Sequence, residues 1–494
     1  MRPGGKRVRL LGLVIYLVAC GVLLDEGLAT AFVRADMYDY LCFHGGAVGL
    51  LRGINYYDAA NASTIAAEFG KTRFLNVYPP LSSLFFVPLA LLPWEIAKRV
   101  WATISLVALL VFVRLLSPWF LGDLRGPTRV IWGAVGALLL ASFYSLGHSL
   151  QVGQTTVLNA ALIMGVLTLA ARHRDLQAGG LLALAVFFKP TAVVVMLYAL
   201  LKRRWRLVAY TVLGIVLLTV ISVAVLGTDI HMDYLEHILW YLDRVDYGVN
   251  YQDFAAFWGR LFAWEGRSPF PGNEHLVKPL TWAAAAALML PVLILLVRKR
   301  WEELSPAAHL AEFGLLFTAV LLAQNQSAIH AYFLLAIPMA AAAVYVRELE
   351  PGGRRFWWLA GGLAAAYCLV ALPFGFREEA LWHGLLMLAV SSKLYGGLLL
   401  WGVLLWIVWH EFEGRDATAA TADEGVGSDH TPEAVEDEAA ADRAGGRSLP
   451  HNCAIIPVGI THGSQHTEVA GGAQCLRQSS SMRCARPSGA SAAG

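Results

Sequence analysis

Charge is scarce in this chain. Asp, Glu, Lys and Arg make up 15% of its 494 residues, against about a quarter in an ordinary soluble domain. The formal net charge is only +2, and no basic stripe of the kind that tracks a phosphate backbone is present, so a nucleic-acid partner is not indicated. Cysteine is also sparse. Cys20, Cys42 and Cys368 lie in or beside apolar runs and Cys453, Cys475 and Cys484 near the C-terminus. No CxxC or Cys/His ligand spacing occurs, which points to neither a zinc site nor a disulfide framework, and no metal or cofactor is expected. An internal repeat with broken helices in matching halves, common in transporters, is missing too.

What the chain has instead is apolar surface, with 57% hydrophobic residues and a mean hydropathy of +0.55. That is the composition of a membrane protein. The first nine residues carry Arg2, Lys6, Arg7 and Arg9 ahead of an apolar run, residues 10–24. No clear small-residue cleavage site follows, so an uncleaved first helix is expected. On the ruler of roughly twenty apolar residues per crossing, fewer in a buried helix, about twelve spans are expected in an all-α bundle. They cover 10–24, 81–92, 100–116, 130–146, 155–171, 178–201, 207–226, 279–297, 310–322, 332–346, 356–374 and 385–409.

Short basic loops set the orientation. If every span crosses, the N-terminus, Lys98-Arg99, Lys202 to Arg206, Arg298 to Arg300 and the 347–355 loop share one side, the cytoplasm. The basic loops 114–129 and 172–174 then fall on the opposite side, so one hairpin in the 94–175 region is expected to be re-entrant. Three polar segments face outward on this count: 25–76, 227–278, and the loop around Gln324 to Ser327. In the second, His231 to Asp246 leads to Phe254, Phe257, Trp258, Leu261 and Phe262 at helical spacing. That pattern suits a helix lying on the membrane surface or one packed on the bundle. After Trp409 the composition turns to Ala, Gly, Asp, Glu and Ser, and residues 412–494 read as a disordered cytoplasmic tail behind one membrane domain, residues 1–411.

The chemistry is expected between Arg34-Ala-Asp-Met-Tyr-Asp-Tyr40 and Asn76-Val-Tyr-Pro-Pro80, beside the first membrane exit. Asp36 there can take a proton from a substrate hydroxyl, or merely cap a short helix with Asp39 three positions on. The double proline re-enters the membrane as a helix start and holds Tyr78 at the outer surface, facing the loop of Asp36. Polar residues crowd Gly147-His-Ser-Leu-Gln-Val-Gly-Gln154, more than a turn requires. Lys189-Pro190 lies midway along an apolar span, where an ammonium needs a partner, either a lipid phosphate or a carboxylate, or else must snorkel. His330 closes the set at the outer end of a span.

Together these positions resemble glycosyltransferase family 87, the polyprenyl-phosphate-mannose-dependent α-mannosyltransferases of the GT-C class. The likeness runs from about residue 10 to 409. It rests on Asp36-Met-Tyr-Asp-Tyr40 with Leu50-Leu-Arg-Gly-Ile-Asn-Tyr-Tyr57, on Val77-Tyr-Pro-Pro-Leu81 with Pro88-Leu-Ala-Leu-Leu-Pro93, on Gly153-Gln154 and Ala178-Gly179, and on Phe188-Lys-Pro190 leading to Arg203-Arg-Trp-Arg206. It implies Asp36 as catalytic base on the extracytoplasmic face of a bacterial plasma membrane, with His330 as second catalytic residue. It implies a polyprenyl-phosphate sugar donor, a glycolipid or glycan acceptor, surrounding membrane lipids, and an inverting transfer without cofactor. Asp39, Tyr40, Tyr78, Gln154 and Lys189 would bind substrate, with Arg34 and Arg73 toward the phosphate. Two stretches depart from the family's pattern: Asn250-Tyr-Gln-Asp253 stands where Asn-Gln-Ser is common, and Ala328-Ile-His-Ala331 where a Trp precedes the histidine. The reading from another class is a transporter or flippase of a lipid-linked sugar; another lipid-linked sugar, such as arabinofuranose, is a third.

Overall fold

Where apolar residues fill every face of a segment, the backbone has to satisfy its own N–H and C=O groups, and only a helix does so within one segment. The computed structural model is accordingly helical. It describes residues 36–72, 74–122, 124–373 and 379–424, and 10–33 in part. All of these fall in one unit, Met1–Ser428. The principal helices are α1 (Tyr38–Arg52), α2 (Ala59–Ala67), α3 (Pro80–Ala90), α4 (Trp94–Leu121), α5 (Gly126–Ala141), α6 (Tyr144–Val152), α7 (Thr156–Ala171), α8 (Asp175–Phe188), α9 (Val193–Leu201), α10 (Trp205–Leu226), α11 (Asp229–Asp243), α12 (Phe254–Phe262), α13 (Val277–Leu296), α14 (Pro306–Ala323), α15 (Ala336–Glu348), α16 (Arg354–Ala371) and α17 (Ser392–Glu424). Among the described residues the one departure from helix and loop is an isolated antiparallel bridge, Tyr251 to Ala328.

Six segments are long and apolar enough to cross a membrane, or seven if α5 and α6, bent by 53°, count as one. The expected figure of about twelve counted shorter helices as full crossings. Two of these show why. The expected span 81–92 is α3, eleven residues with Pro80 in its first turn, about 16 Å at the helical rise. It stays beside α1: Phe86, near its middle, packs on Phe43 at 4.8 Å between ring centroids, and Trp94, just past the helix, lies 5.0 Å from His44. Similarly, the expected span 178–201 is two helices. Pro190 cannot continue a helix, and it holds Lys189 extended, at φ −154° and ψ 109°. The segment then folds back, because Arg204 after α9 pairs with Asp175 at the start of α8 at 2.8 Å.

These two hairpins reassign the charges. Trp94 sits against α1, so Lys98, which pairs with Glu95 at 2.8 Å, lies at the α1 end of the bundle and not with the other basic loops. The 114–129 loop is at the opposite end, where Arg347 donates to the Phe120 carbonyl at 2.6 Å. The 172–174 loop joins Lys202 to Arg206 through the Arg204–Asp175 pair. Lys202 in turn donates to the Leu296 carbonyl at the end of α13 and pairs with Glu312 at 2.5 Å, both charges almost fully buried. Both basic loops that the count placed on the opposite face therefore gather at one end with Arg298 to Arg300 and Arg347.

α12 follows the bundle-packing alternative: Phe254, Ala255, Ala256, Gly259 and Leu261 are buried. Of the expected tail, 412–424 continue α17, while 425–494 lie outside the described residues, as do residues 11, 12, 16, 19 and 23 of the first expected span.

The hairpin is tested by Arg172→Cys and Arg203→Cys, made singly on a background lacking other accessible thiols. A membrane-impermeant maleimide is expected to label both from the same face. Labelling from opposite faces would restore the single span 178–201.

Candidate functional site

α1 does not start on a conventional cap. Its N-cap is Met37, in the left-handed region at φ 52° and without a side-chain cap bond. The turn is fixed from outside instead: the backbone N–H groups of Asp36 and Met37 both donate to the Gln151 carbonyl at 3.0 Å. The capping alternative for Asp36 is thus not realised. Its carboxylate is half-exposed and ion-paired with Lys71.

Asp39, one turn on, points into a hydrogen-bonded cluster. Its Oδ2 accepts from Gln154 Nε2 at 3.1 Å and lies 3.7 Å from His330 Nδ1. Gln154 Oε1 accepts from the Tyr78 hydroxyl at 3.0 Å and from the Thr155 N–H at 2.9 Å. Tyr78 is buried against Phe43, with ring centroids 4.3 Å apart, and not at the outer surface as the sequence suggested. The reason lies in its strap: Asn76 donates to the Cys42 carbonyl of α1 at 3.0 Å and accepts from the Tyr78 N–H at 3.0 Å, while Tyr57 donates to the Tyr78 carbonyl at 2.6 Å. Burial pushes the Asp39 carboxyl up to about 6, against the pull of the Lys189 ammonium and the Gln154 bond.

Lys189, at the break between α8 and α9, is buried and donates to Thr156 Oγ1 at 3.0 Å. The proline break thus carries an ammonium to the neighbourhood of Asp39. His330 lies in a 3-10 segment, Ile329–Leu335, which is sewn to the other departure from the family's pattern. Ile329 N–H donates to the Asn250 carbonyl at 2.8 Å, Gln252 N–H to the Ser327 carbonyl at 2.9 Å, and Ser327 N–H to Asp253 Oδ2 at 2.7 Å. Burial likewise raises the Asp253 carboxyl to about 6.

Of the residues expected in the site, Asp39, Gln154, Tyr78 and His330 are joined directly and Lys189 acts on Asp39 through its charge. Asp36 borders them on the Lys71 side. Tyr40 is placed elsewhere: it is fully buried, stacked on Trp101 at 5.8 Å and Trp94 at 5.5 Å, with its hydroxyl on His44 Nδ1 at 3.2 Å. It supports α1 from behind. Arg34 and Arg73 lie outside the described residues. Two further residues stand nearby: His148, from the polar stretch 147–154 already singled out, and Lys393, which was missed. His148 lies 6.5 Å from the His330 ring and stacks on Tyr144 at 5.9 Å. Lys393 lies 5.4 Å over the Tyr144 ring. The rule that singled out Lys189, an ionisable group in an apolar run, applies equally to Lys393. Among the described residues, no group of three or more His, Cys, Asp or Glu side chains is placed to hold a metal ion.

The family model of glycosyltransferase family 87 matches residues 76–324. The polyprenol-phosphate-mannose-dependent alpha-(1-2)-phosphatidylinositol pentamannoside mannosyltransferase of Mycolicibacterium smegmatis is 34% identical over 134 residues, which is 27% of this chain and 30% of that protein. The chain thus matches less than a third of that relative's length. No solved structure matches.

Gly153 gives the site a test of its own. It has φ +71°, and a Cβ there would meet Met37 Sδ and Tyr40 Cβ, both at 2.6 Å, while its carbonyl accepts from Trp101 Nε1 at 2.8 Å. Gly153→Ala is expected to cost about 2–4 kcal/mol from left-handed strain and overpacking, read as a lowered thermal midpoint in detergent. An unchanged midpoint would mean that the turn before Gln154 is not held as described.

Proposed function

We propose, for a chain that belongs to glycosyltransferase family 87, that it transfers a mannosyl residue from a polyprenyl-phosphate donor to a hydroxyl of a glycolipid or glycan. The observation that carries this reading is the cluster of Asp39, Gln154, Tyr78, His330 and Lys189, bordered by the accessible carboxylate of Asp36. Family membership favours transfer over transport, and the relative's printed name supplies the donor class and the glycolipid acceptor.

In the proposed reaction the acceptor oxygen attacks the anomeric carbon, the bond from that carbon to the phosphate oxygen breaks, and the acceptor proton passes to Asp36. The lipid phosphate departs with the bonding pair, so one displacement inverts the centre. Asp36 is favoured as base because its carboxylate is reachable, whereas Asp39 is committed to Gln154 and His330. The ion pair with Lys71 opens to admit the acceptor. Lys189 and His330 supply positive charge or donors for the departing phosphate, and Asp39 orients both Gln154 and His330. One observation favours Asp39 as base instead: a carboxyl pushed up to about 6 is better matched to proton abstraction near neutrality.

The site's position follows from the charges. Loops rich in Lys and Arg stay in the cytoplasm, and they gather at the end of the bundle away from Asp39, so the site faces outward across a bacterial plasma membrane. The short apolar helices α3, α7, α8 and α9 complete a GT-C-type bundle around the crossing helices.

Membranes carrying the wild-type chain, given labelled polyprenyl-phosphate mannose and a pool of glycolipids, are expected to form a labelled product. Asp36→Asn at normal expression is expected to lower the rate by about 10²–10⁴-fold, the contribution of a general base. Asp39→Asn keeps an oxygen for Gln154, so a smaller loss is expected. If Asp39→Asn alone abolishes transfer and Asp36→Asn does not, the base is Asp39. If wild type transfers from no lipid-linked sugar, the transferase reading falls.

The pH profile follows from Asp39. Its raised pKa means the carboxylate forms only as pH rises through about 6, and the ionised form is the stronger acceptor for the Gln154 amide. Transfer by wild type is therefore expected to climb between about pH 5 and 7 and then level, with an apparent pKa near 6. A rate flat across that window would separate Asp39 from the reaction.

A further inference from the structure

A strongly basic cleft among the described residues belongs to neither the cluster around Asp39 nor the packed core. It lies at the opposite end of the bundle, where the loop before α8 meets the loop before α10. A cleft of about 340 Å³ opens there, lined by His173, Arg174, Asp175, Leu176, Gln177, Arg206 and Tyr210. Its one acidic wall residue is already neutralised, because Asp175 accepts from Arg204 Nε at 3.1 Å and pairs with its Nη2 at 2.8 Å. Arg204 itself is buried, stacked over the Trp301 ring at 4.5 Å, and leaves its Nη1 without a partner. Among the described residues Arg174 and Arg206 have no carboxylate partner, nor do the adjacent Arg172 and Arg203.

We propose that this cleft is a binding site for the phosphate of an anionic phospholipid from the leaflet at the basic end. Two guanidinium groups in one concavity suit a phosphate, which they grip through paired N–H donors. The Tyr210 side chain and the starts of two helices, α8 and α10, add to the same pull. The rim argues for a lipid over a free anion. Leu176 and Trp205, the residues flanking the two loops, are 65% and 62% exposed; both open apolar helices, and that of Trp205 is long enough to cross a membrane. A Trp at that depth is the usual anchor of a membrane interface, and acyl chains below a bound headgroup would lie along the exposed Leu213, Val216, Leu217 and Val220 of α10. Fixed geometry separates this cleft from a general excess of cytoplasmic charge: the Arg204–Asp175 clamp and the Gly179 to Tyr210 packing, where an added Cβ would sit 2.6 Å from Tyr210 Cβ, hold its walls together. The site is remote from the sugar donor's phosphate, and the proposal does not depend on the transferase reading.

The full chain is reconstituted with equal amounts of phosphatidylglycerol and phosphatidylcholine, and the lipid that stays bound is measured by native mass spectrometry. Wild type is expected to retain phosphatidylglycerol preferentially. Arg174→Gln with Arg206→Gln is expected to lower that retention about tenfold or more, at about fivefold per cation near a charged membrane surface, and Arg174→Lys with Arg206→Lys to keep much of it. Equal thermal midpoints in phosphatidylcholine alone show that the double variant is folded; should it not fold, Arg206→Gln alone carries the test with a loss of about fivefold. Retention of the two lipids in equal amounts by wild type, or undiminished retention by the glutamine variants, overturns the site. Complete displacement of phosphatidylglycerol by inorganic phosphate would mark a soluble-anion site and overturn the assignment to lipid.

Discussion

One amide joins the parts of this molecule that meet at the candidate site. Gln154 donates to Asp39 of α1 and accepts from Tyr78 of the proline strap, and it stands two residues after the Val152 that ends α6. In an apolar bundle a buried polar group without partners costs about 1–3 kcal/mol or more, so three elements are held in register by the need to satisfy one side chain. Other buried polar groups meet the same constraint in most of their atoms. Asn76 spends its donors on the Cys42 carbonyl and Ser83, and its acceptor on the Tyr78 N–H; Arg260, almost fully buried, donates from Nη1 to the carbonyls of Tyr247, Gly248 and Tyr251 and from Nη2 to Ser391, and leaves its Nε without a partner. Rigidity around Asp39 is therefore a consequence of desolvation.

Charge sorts the molecule lengthwise. The end at α1 holds carboxylates beside a lysine and two histidines; the other end holds most of the described arginines, with buried Arg204 tied down by Asp175 and buried Lys202 by Glu312. A buried pair such as Lys202–Glu312 contributes little net stability by itself, since desolvating both ions offsets their attraction. It does fix position. Removing either partner would strand a charge at the junction of α9, α13 and α14, so the pair specifies how those helices meet.

Helical class, the site's neighbourhood and most of its residues were legible in the sequence because each rests on local chemistry. An apolar run, a proline in a first turn or a lysine in an apolar span can be read without knowing any neighbour. The crossings were harder. A run of apolar residues looks the same whether it crosses or turns back, and length alone did not decide 81–92 or 178–201; Lys189-Pro190 carried the signal for a break, but was read only as a charge in need of a partner. The side-chain directions within α1 were likewise hidden. Asp36 and Tyr40 sit in one short motif, yet one faces Lys71 and the other two tryptophans, because Met37 turns left-handed against the Gln151 carbonyl, a bond made across more than a hundred residues of chain.

The two stretches where the sequence departs from the family's pattern illustrate what pairing adds. Asn250-Tyr-Gln-Asp253 and Ala328-Ile-His-Ala331 are separated by more than seventy residues, and read singly each looks like an independent change. In the structure they are one unit: the Asn250 carbonyl receives the Ile329 N–H, the Tyr251–Ala328 bridge lies between them, and Asp253 holds Ser327. A two-sided ladder of this kind sets His330 by backbone register more than by the identity of its neighbours. A change on one side that shifted the ladder would have to be met on the other for the imidazole to stay beside Asp39.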